Sequence, residues 1–123
     1  MTTSFFIYIL YSSGADKYYV GYTSDYEKRL NDHNTQENFN TYTSKFRPWE
    51  LVAVFHAGDE EAQAIRMERF IKKQKSRRLI EQLVKVNFIP SGSLAQLVRV
   101  RRGGLIRGSL VQVQEEEPTK NRS

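Results

Sequence analysis

The sequence predicts an α+β domain in which a small three-stranded antiparallel sheet is flanked by helices, in the order β-β-α-β-α-α. Three observations indicate this fold class. Two segments near the start of the chain are rich in aromatic and β-branched residues, a third segment alternates, and apolar residues recur at helical spacing in the second half. The length of 123 residues suits a single core.

We expect the ordered domain to occupy residues 1–87 and a loosely ordered tail to occupy residues 88–123. The tail contains scattered glycines, lacks a sustained hydrophobic period and ends in polar residues. It can still hold one short strand or helix.

The first two strands flank the loop sequence SSGADK and are predicted for residues 5–11 and 18–22. Their composition favours strands, and the glycine between them favours a hairpin. If Tyr11 and Tyr18 face each other across this hairpin, Tyr8 pairs with Gly21. A glycine within a strand often marks a place where another group approaches the backbone closely.

A first helix is predicted for residues 25–34, because Ser24 and Glu27 have the spacing of a capping box. The polar segment 35–48 lacks periodicity and ends in proline, which predicts a loop. Residues 49–57 alternate well enough to form the third strand.

A long helix is predicted for residues 60–75, with Asp59 as its N-terminal cap. The apolar residues that form its buried stripe are Ala64, Met67 and Ile71. A second helical segment is predicted to begin at Ser76.

Charge and composition restrict the class of protein. The net charge is +5, and eight basic residues outnumber two acidic ones between residues 65 and 85, which favours a polyanionic partner. The absence of cysteine excludes disulfides, thiolate zinc sites and a cysteine nucleophile. The apolar run at residues 5–11 is far shorter than the roughly 20 residues that a spanning helix needs. We therefore expect a cytoplasmic protein with no membrane segment.

Two tyrosines of the hairpin are candidates for chemistry. Tyr8 and Tyr19 would flank a notch at Gly21, and a phenol becomes a useful base when a nearby cation or metal-bound water lowers its pKa from about 10. The alternative is that both are ordinary strand residues.

The first helix carries two further candidates. Arg29 and His33 share one face of it and should lie at the edge of the helix–sheet junction. A guanidinium group suits phosphate, and an imidazole can exchange a proton near neutral pH. The alternative is a solvated pair on the helix surface.

Glu68 lies on the shoulder of the apolar stripe of the long helix. A partly buried carboxylate needs a cation, which is either Lys72 at position i+4 or a bound divalent metal. The residues alone leave both choices open. His56, at the end of the third strand, is interpreted as structural.

Together, five segments in this order resemble the GIY-YIG nuclease superfamily. They are FIY at residues 6–8, YVG at 19–21, EKRLNDHN at 27–34, TYTSKFRPWELV at 41–52 and IRMERFIKK at 65–73. The resemblance is closest to small single-domain members, which are related to the nuclease domain of bacterial nucleotide-excision repair and to a structure-specific flap and junction nuclease subunit. Phe6 replaces the first glycine of the superfamily name, as it does in other small members.

The resemblance implies one divalent metal, Mg²⁺ or Mn²⁺, held by Glu68 and the scissile phosphate. Five further residues would line the site: Tyr8 to activate the attacking water, Tyr19 to orient it, Arg29 to neutralise the phosphate, His33 to tune Tyr8 or carry a proton, and Gly21 to keep the notch open.

The resemblance also implies a metal-dependent endonuclease that cleaves DNA according to its structure rather than its sequence, with a role in repair. The expected contacts to nucleic acid are Tyr42, Lys45, Arg47, Lys72 and Lys73. A protein partner could supply substrate recognition, and a monomer and a homodimer both remain open. The alternatives are a nucleic-acid-binding module with a weak or inactive nuclease centre, and a basic structural domain.

Overall fold

A computed structural model describes residues 3–36 and 39–101 of the chain. In chain order its elements are β1 (Phe6–Ser12), β2 (Lys17–Thr23), α1 (Tyr26–Thr35), α2 (Thr41–Ser44), β3 (Glu50–His56), α3 (Glu61–Gln74), α4 (Arg77–Val84), a 3-10 turn (Gly92–Leu94) and β4 (Val98–Arg99). The sheet has the order β2-β1-β3-β4, and each pairing is antiparallel. The predicted α+β class is confirmed.

The hairpin of β1 and β2 has the predicted register. Tyr11 pairs with Tyr18, and Tyr8 pairs with Gly21. Its strands extend to Ser12 and Lys17, so the loop is shorter than the sequence indicated. The predicted contact between Tyr8 and the glycine is therefore built into the pairing of the two strands.

The central strand β1 is buried on both faces. Its side chains alternate, so Ile7 and Ile9 join the core that contains the apolar stripe of α3, whereas Tyr8 and Leu10 pack with Trp49 on the other face. The predicted stripe of α3 is confirmed, because its three members are buried: Ala64, Met67 and Ile71.

The described sheet has four strands, so the prediction of three strands is wrong. Val98 and Arg99 pair with the end of β3, and the Arg99 guanidinium donates a hydrogen bond to the carbonyl oxygen of Leu83 at 2.6 Å. Leu94 and Leu97 enter the core just before this strand. A two-residue strand has no periodicity to detect. The remainder of the predicted tail, residues 102–123, lies outside the described residues.

The starts of two helices differ from the predictions. Asp25 rather than Ser24 caps α1, and its carboxylate accepts a hydrogen bond from the Lys28 backbone at 3.1 Å. Glu60 rather than Asp59 is the residue before α3. The start of α4 at Ser76 is confirmed, since its hydroxyl accepts from the backbone of a residue in the first turn.

The segment predicted as a loop contains the one-turn helix α2. Asn40 caps it through a hydrogen bond from the Thr43 backbone at 3.0 Å. The Trp49 indole donates to the Thr43 carbonyl oxygen at 2.7 Å. Tertiary contacts therefore hold a turn too short to show a helical pattern. Within the described residues no helix is long and apolar enough to cross a membrane.

Candidate active site

Tyr8 lies against Gly21 on the neighbouring strand. A Cβ atom at position 21 would lie 2.5 Å from the Tyr8 hydroxyl oxygen and 2.6 Å from Cζ. Only glycine leaves room for this ring, because real Cβ atoms do not approach other atoms so closely. The notch predicted at Gly21 is thus occupied by the Tyr8 phenol, which is 1% exposed.

The Tyr8 hydroxyl is hydrogen-bonded to His33 on α1. The hydroxyl oxygen lies 2.9 Å from His33 Nε2, and the opposite ring nitrogen, Nδ1, lies 2.8 Å from the Thr43 hydroxyl oxygen. His33 and Thr43 are both fully buried. Three polar side chains from β1, α1 and α2 therefore form one hydrogen-bonded row inside the protein.

Burial sets the protonation states of this row. Desolvation raises the pKa of Tyr8 well above its ordinary value; Tyr19 and Glu68 act in the same direction, whereas Arg29 lowers it. Desolvation also lowers the pKa of His33 to about 4, and the charge of Arg29 adds to this effect. At neutral pH the phenol keeps its proton and the imidazole is neutral.

Arg29 lies one helical turn before His33 on α1. Its positive charge is one of the causes that lower the pKa of Tyr8. The guanidinium carbon lies 5.6 Å from the centre of the Phe39 ring. Arg29 is half-buried, and its guanidinium can pair with an anionic group.

Tyr19 and Tyr42 form the aromatic side of the site. The Tyr19 ring lies 4.8 Å from His33 and is stacked on Tyr42 with 6.3 Å between the centroids. The Tyr19 hydroxyl accepts a hydrogen bond from the Asn40 amide at 3.3 Å. Tyr42 is 42% exposed, so an aromatic surface continues from the buried row to solvent.

The Glu68 carboxylate on α3 is paired with the ammonium group of a neighbouring lysine. Its carboxylate is 3.4 Å from the Lys72 ammonium, and its side chain is 16% exposed. The same ammonium lies 5.1 Å from the centre of the Tyr19 ring. Glu68 raises the pKa of Tyr8 and Arg29 lowers it, so both charges act on the phenol. Their convergence on one site stays a prediction.

The side chains present would suit Mg²⁺ or Mn²⁺ better than a metal ion that needs several protein ligands. Among residues 3–36 and 39–101 no three side chains of histidine, cysteine, aspartate or glutamate are grouped to hold a metal. Glu68 would offer a single hard oxygen ligand, and Mg²⁺ commonly keeps several waters beside one carboxylate and a substrate phosphate.

The remaining predicted contacts to nucleic acid differ in their surroundings. Lys45 and Lys73 are exposed, as a contact to the nucleic-acid backbone requires. Arg47 instead donates hydrogen bonds to the carbonyl oxygens of His33 and Gln36, at 2.6 Å and 2.5 Å. Its guanidinium therefore holds the end of α1, and its role in phosphate binding stays a prediction.

Thr43 and Asn40 are site residues that the sequence reasoning missed. Both belong to the segment that was predicted to be a loop, where a hydroxyl or an amide carries no signal of burial. The available indication was the motif TYTSKFRPWELV, which contains Thr43 and directly follows Asn40.

A family model and known proteins are similar to this chain. The family described as the GIY-YIG catalytic domain matches residues 4–81. The structure-specific endonuclease subunit SLX1 of Meyerozyma guilliermondii is 32% identical over 76 residues, which are 58% of this chain and 26% of that protein. The chain thus matches only about a quarter of that relative's length. The solution NMR structure of the UPF0213 protein BH0048 from Bacillus halodurans is 28% identical with a TM-score of 0.42, covering 71% of this chain and 88% of that one.

Proposed function

The chain belongs to the GIY-YIG catalytic domain family, and from this premise we propose that it is a divalent-metal-dependent endonuclease that hydrolyses phosphodiester bonds in DNA. The observation that carries the proposal is the buried hydrogen bond between Tyr8 and His33, together with the charges of Arg29 and Glu68, which both act on the Tyr8 phenol. A phenol, an imidazole, a guanidinium and a carboxylate are the groups that phosphodiester hydrolysis needs: a path for the proton of water, an anion site and a metal ligand.

Glu68 would hold the metal, in place of its present partner Lys72. When bound, Mg²⁺ or Mn²⁺ supplies Lewis-acid stabilisation of the charge on the phosphate and on the leaving oxygen. Lys72 does not have to leave the site, because its ammonium can turn to a phosphate oxygen of the nucleic acid.

Arg29 would bind the scissile phosphate. Its charge already acts on the Tyr8 phenol, so a phosphate paired with Arg29 would lie in the neighbourhood of that phenol. A guanidinium matches phosphate oxygens with two parallel hydrogen bonds. Tyr19, held by Asn40 at 3.3 Å, would hold the attacking water in line through its hydroxyl.

Tyr8 and His33 would move the proton of the attacking water. The water gives a proton to the Tyr8 oxygen while the Tyr8 proton passes to His33 Nε2, over the 2.9 Å hydrogen bond. No isolated phenolate has to form, which matters because burial raises the pKa of Tyr8. The negative charge of the bound phosphodiester opposes the effect of Arg29 on His33 and makes the imidazole a better proton acceptor at that moment.

The substrate would be recognised by its structure, with a role in DNA repair. The exposed Tyr42 and the basic residues Lys45, Lys72 and Lys73 can contact bases and backbone without reading a sequence. The relative in Meyerozyma guilliermondii is named as a subunit, which supports a protein partner that helps to recognise the substrate.

A second candidate function is a nucleic-acid-binding module with a weak or inactive nuclease centre. The Glu68–Lys72 ion pair favours it, because an ammonium at 3.4 Å already satisfies the proposed metal ligand. The two candidates differ in whether a metal can displace Lys72.

Plasmid nicking separates the two candidates. Purified protein is incubated with supercoiled plasmid and with branched and single-stranded DNA, with Mg²⁺ or Mn²⁺. We expect nicking by the wild type and by Glu60→Gln, an exposed carboxylate at the start of the same helix. Glu68→Gln and Tyr8→Phe should lose at least about 10²-fold in rate and keep their affinity for DNA. Binding by the wild type without any cleavage would establish the module instead.

A further inference from the structure

Thr43 is a buried polar residue that the proposed chemistry does not yet use. It is fully buried on the one-turn helix α2, and its hydroxyl oxygen lies 2.8 Å from His33 Nδ1. Two backbone contacts fix its position, since its N–H donates to the Asn40 side chain at 3.0 Å and its carbonyl oxygen accepts from the Trp49 indole at 2.7 Å. A hydroxyl held so firmly at a catalytic imidazole can select which ring nitrogen carries the proton.

A second acceptor beside the hydroxyl favours one direction for this hydrogen bond. The Thr43 hydroxyl can donate its one proton to the carbonyl oxygen of Asn40, at 3.5 Å. Its oxygen is then the acceptor for a proton on His33 Nδ1. A neutral imidazole has one N–H, so Nε2 is left with a lone pair.

The other end of the row is compatible with the same tautomer. Burial and the nearby charges of Tyr19 and Glu68 keep the proton on the Tyr8 phenol. The phenol can direct that proton to Nε2, 2.9 Å away, when Nε2 carries a lone pair. The Tyr8 oxygen then keeps its own lone pairs free to accept a proton from another donor.

We propose that Thr43 is a positioning residue that holds His33 as the Nδ1–H tautomer, with the Nε2 lone pair directed at the Tyr8 hydroxyl. The proposal rests on the proposed nuclease function for its consequence, but not for its geometry. Thr43 does not touch the substrate. It determines whether the hydrogen-bonded row can pass a proton away from the phenol.

The tautomer can be measured directly in the absence of any substrate. Nitrogen-15 NMR of the imidazole side chains distinguishes the Nδ1–H form from the Nε2–H form, and the two histidines are assigned with His56→Gln. We expect the wild type to show His33 as Nδ1–H. Thr43→Val keeps the shape of the side chain but removes the acceptor, so it should shift His33 towards Nε2–H, whereas Thr43→Ser should keep the wild-type pattern.

Kinetics then test the consequence. Thr43→Val should lower kcat by about 10²-fold and leave KM for the nucleic acid unchanged, and Thr43→Ser should restore most of the rate. A wild-type His33 in the Nε2–H form would overturn the proposal even if Thr43→Val failed to fold. An unchanged tautomer in a folded Thr43→Val would also overturn it. An inactive wild type with the Nδ1–H form would count against the nuclease function alone.

Discussion

Gly21→Ala should separate the role of the glycine in the site from any general effect on the sheet. The new Cβ would lie 2.5 Å from the Tyr8 hydroxyl oxygen and 2.8 Å from Cε1. The ring would have to move by roughly 1 Å to reach an ordinary van der Waals separation. Tyr8 is 1% exposed, so its ring would move against buried neighbours, and the movement would alter the 2.9 Å hydrogen bond to His33.

The expected magnitudes follow from overpacking and misplacement. Forcing one extra carbon into a filled core costs about 1–3 kcal/mol, and alanine offsets up to about 1 kcal/mol because it reduces the entropy of the unfolded chain. The free energy of unfolding should therefore fall by about 1–2 kcal/mol, the middle of a range of about 0–3 kcal/mol. A displacement of about 1 Å at a reacting group lowers the rate by about 10²-fold.

Urea denaturation and plasmid nicking measure these two effects. Gly14→Ala is the matched control, because a Cβ there meets nothing within 4 Å. It should change the free energy of unfolding by no more than about 0.5 kcal/mol and leave the rate unchanged. If Gly21→Ala matched Gly14→Ala in both measurements, the close contact between Tyr8 and Gly21 would not be needed, and the reasoning about the site would be wrong.

Two further predictions concern charge. The pKa of His33 is about 4 when folded against 6.5 ordinarily, so the unfolded chain binds more protons between these values. As the pH falls from 6.5 to 4, the free energy of unfolding of the wild type should therefore fall by at most about 3 kcal/mol more than that of His33→Gln. Urea denaturation at several pH values measures this difference, and the same pH dependence in both proteins would contradict the buried neutral imidazole. Lys72→Met should raise the affinity for Mn²⁺ by about two- to fivefold in calorimetry, because it removes the cation that pairs with Glu68. Lys73→Met should leave the affinity for Mn²⁺ unchanged. Equal affinities of the two variants for Mn²⁺ would exclude competition by Lys72.

The sequence was sufficient to predict what depends on periodicity and pairing. The partners Tyr8 and Gly21 follow from alternation along two strands once Tyr11 and Tyr18 are taken to be opposite. The buried face of α3 follows from the spacing of its apolar residues. Such local patterns determine the hairpin and the helix that carry most of the proposed site.

Tertiary contacts determine the parts that were missed. The helix α2 is one turn long and depends on Asn40 and on the indole of Trp49. The strand β4 consists of Val98 and Arg99, and its pairing with β3 is a long-range contact. Short elements of this kind have too little sequence to show a period, and so the role of Thr43 could not be anticipated.

The ion pair of Glu68 and Lys72 has a consequence for how the protein matures. A carboxylate that became buried without a positively charged partner would couple folding to the binding of a metal ion, as in domains that are unfolded without their metal. Here the Lys72 ammonium, one helical turn after Glu68, supplies that positive charge at 3.4 Å from the carboxylate. If Glu68 holds a metal as proposed, newly made protein could reach its final shape in a chelating environment and bind that metal later, so that folding and activation would be separate events.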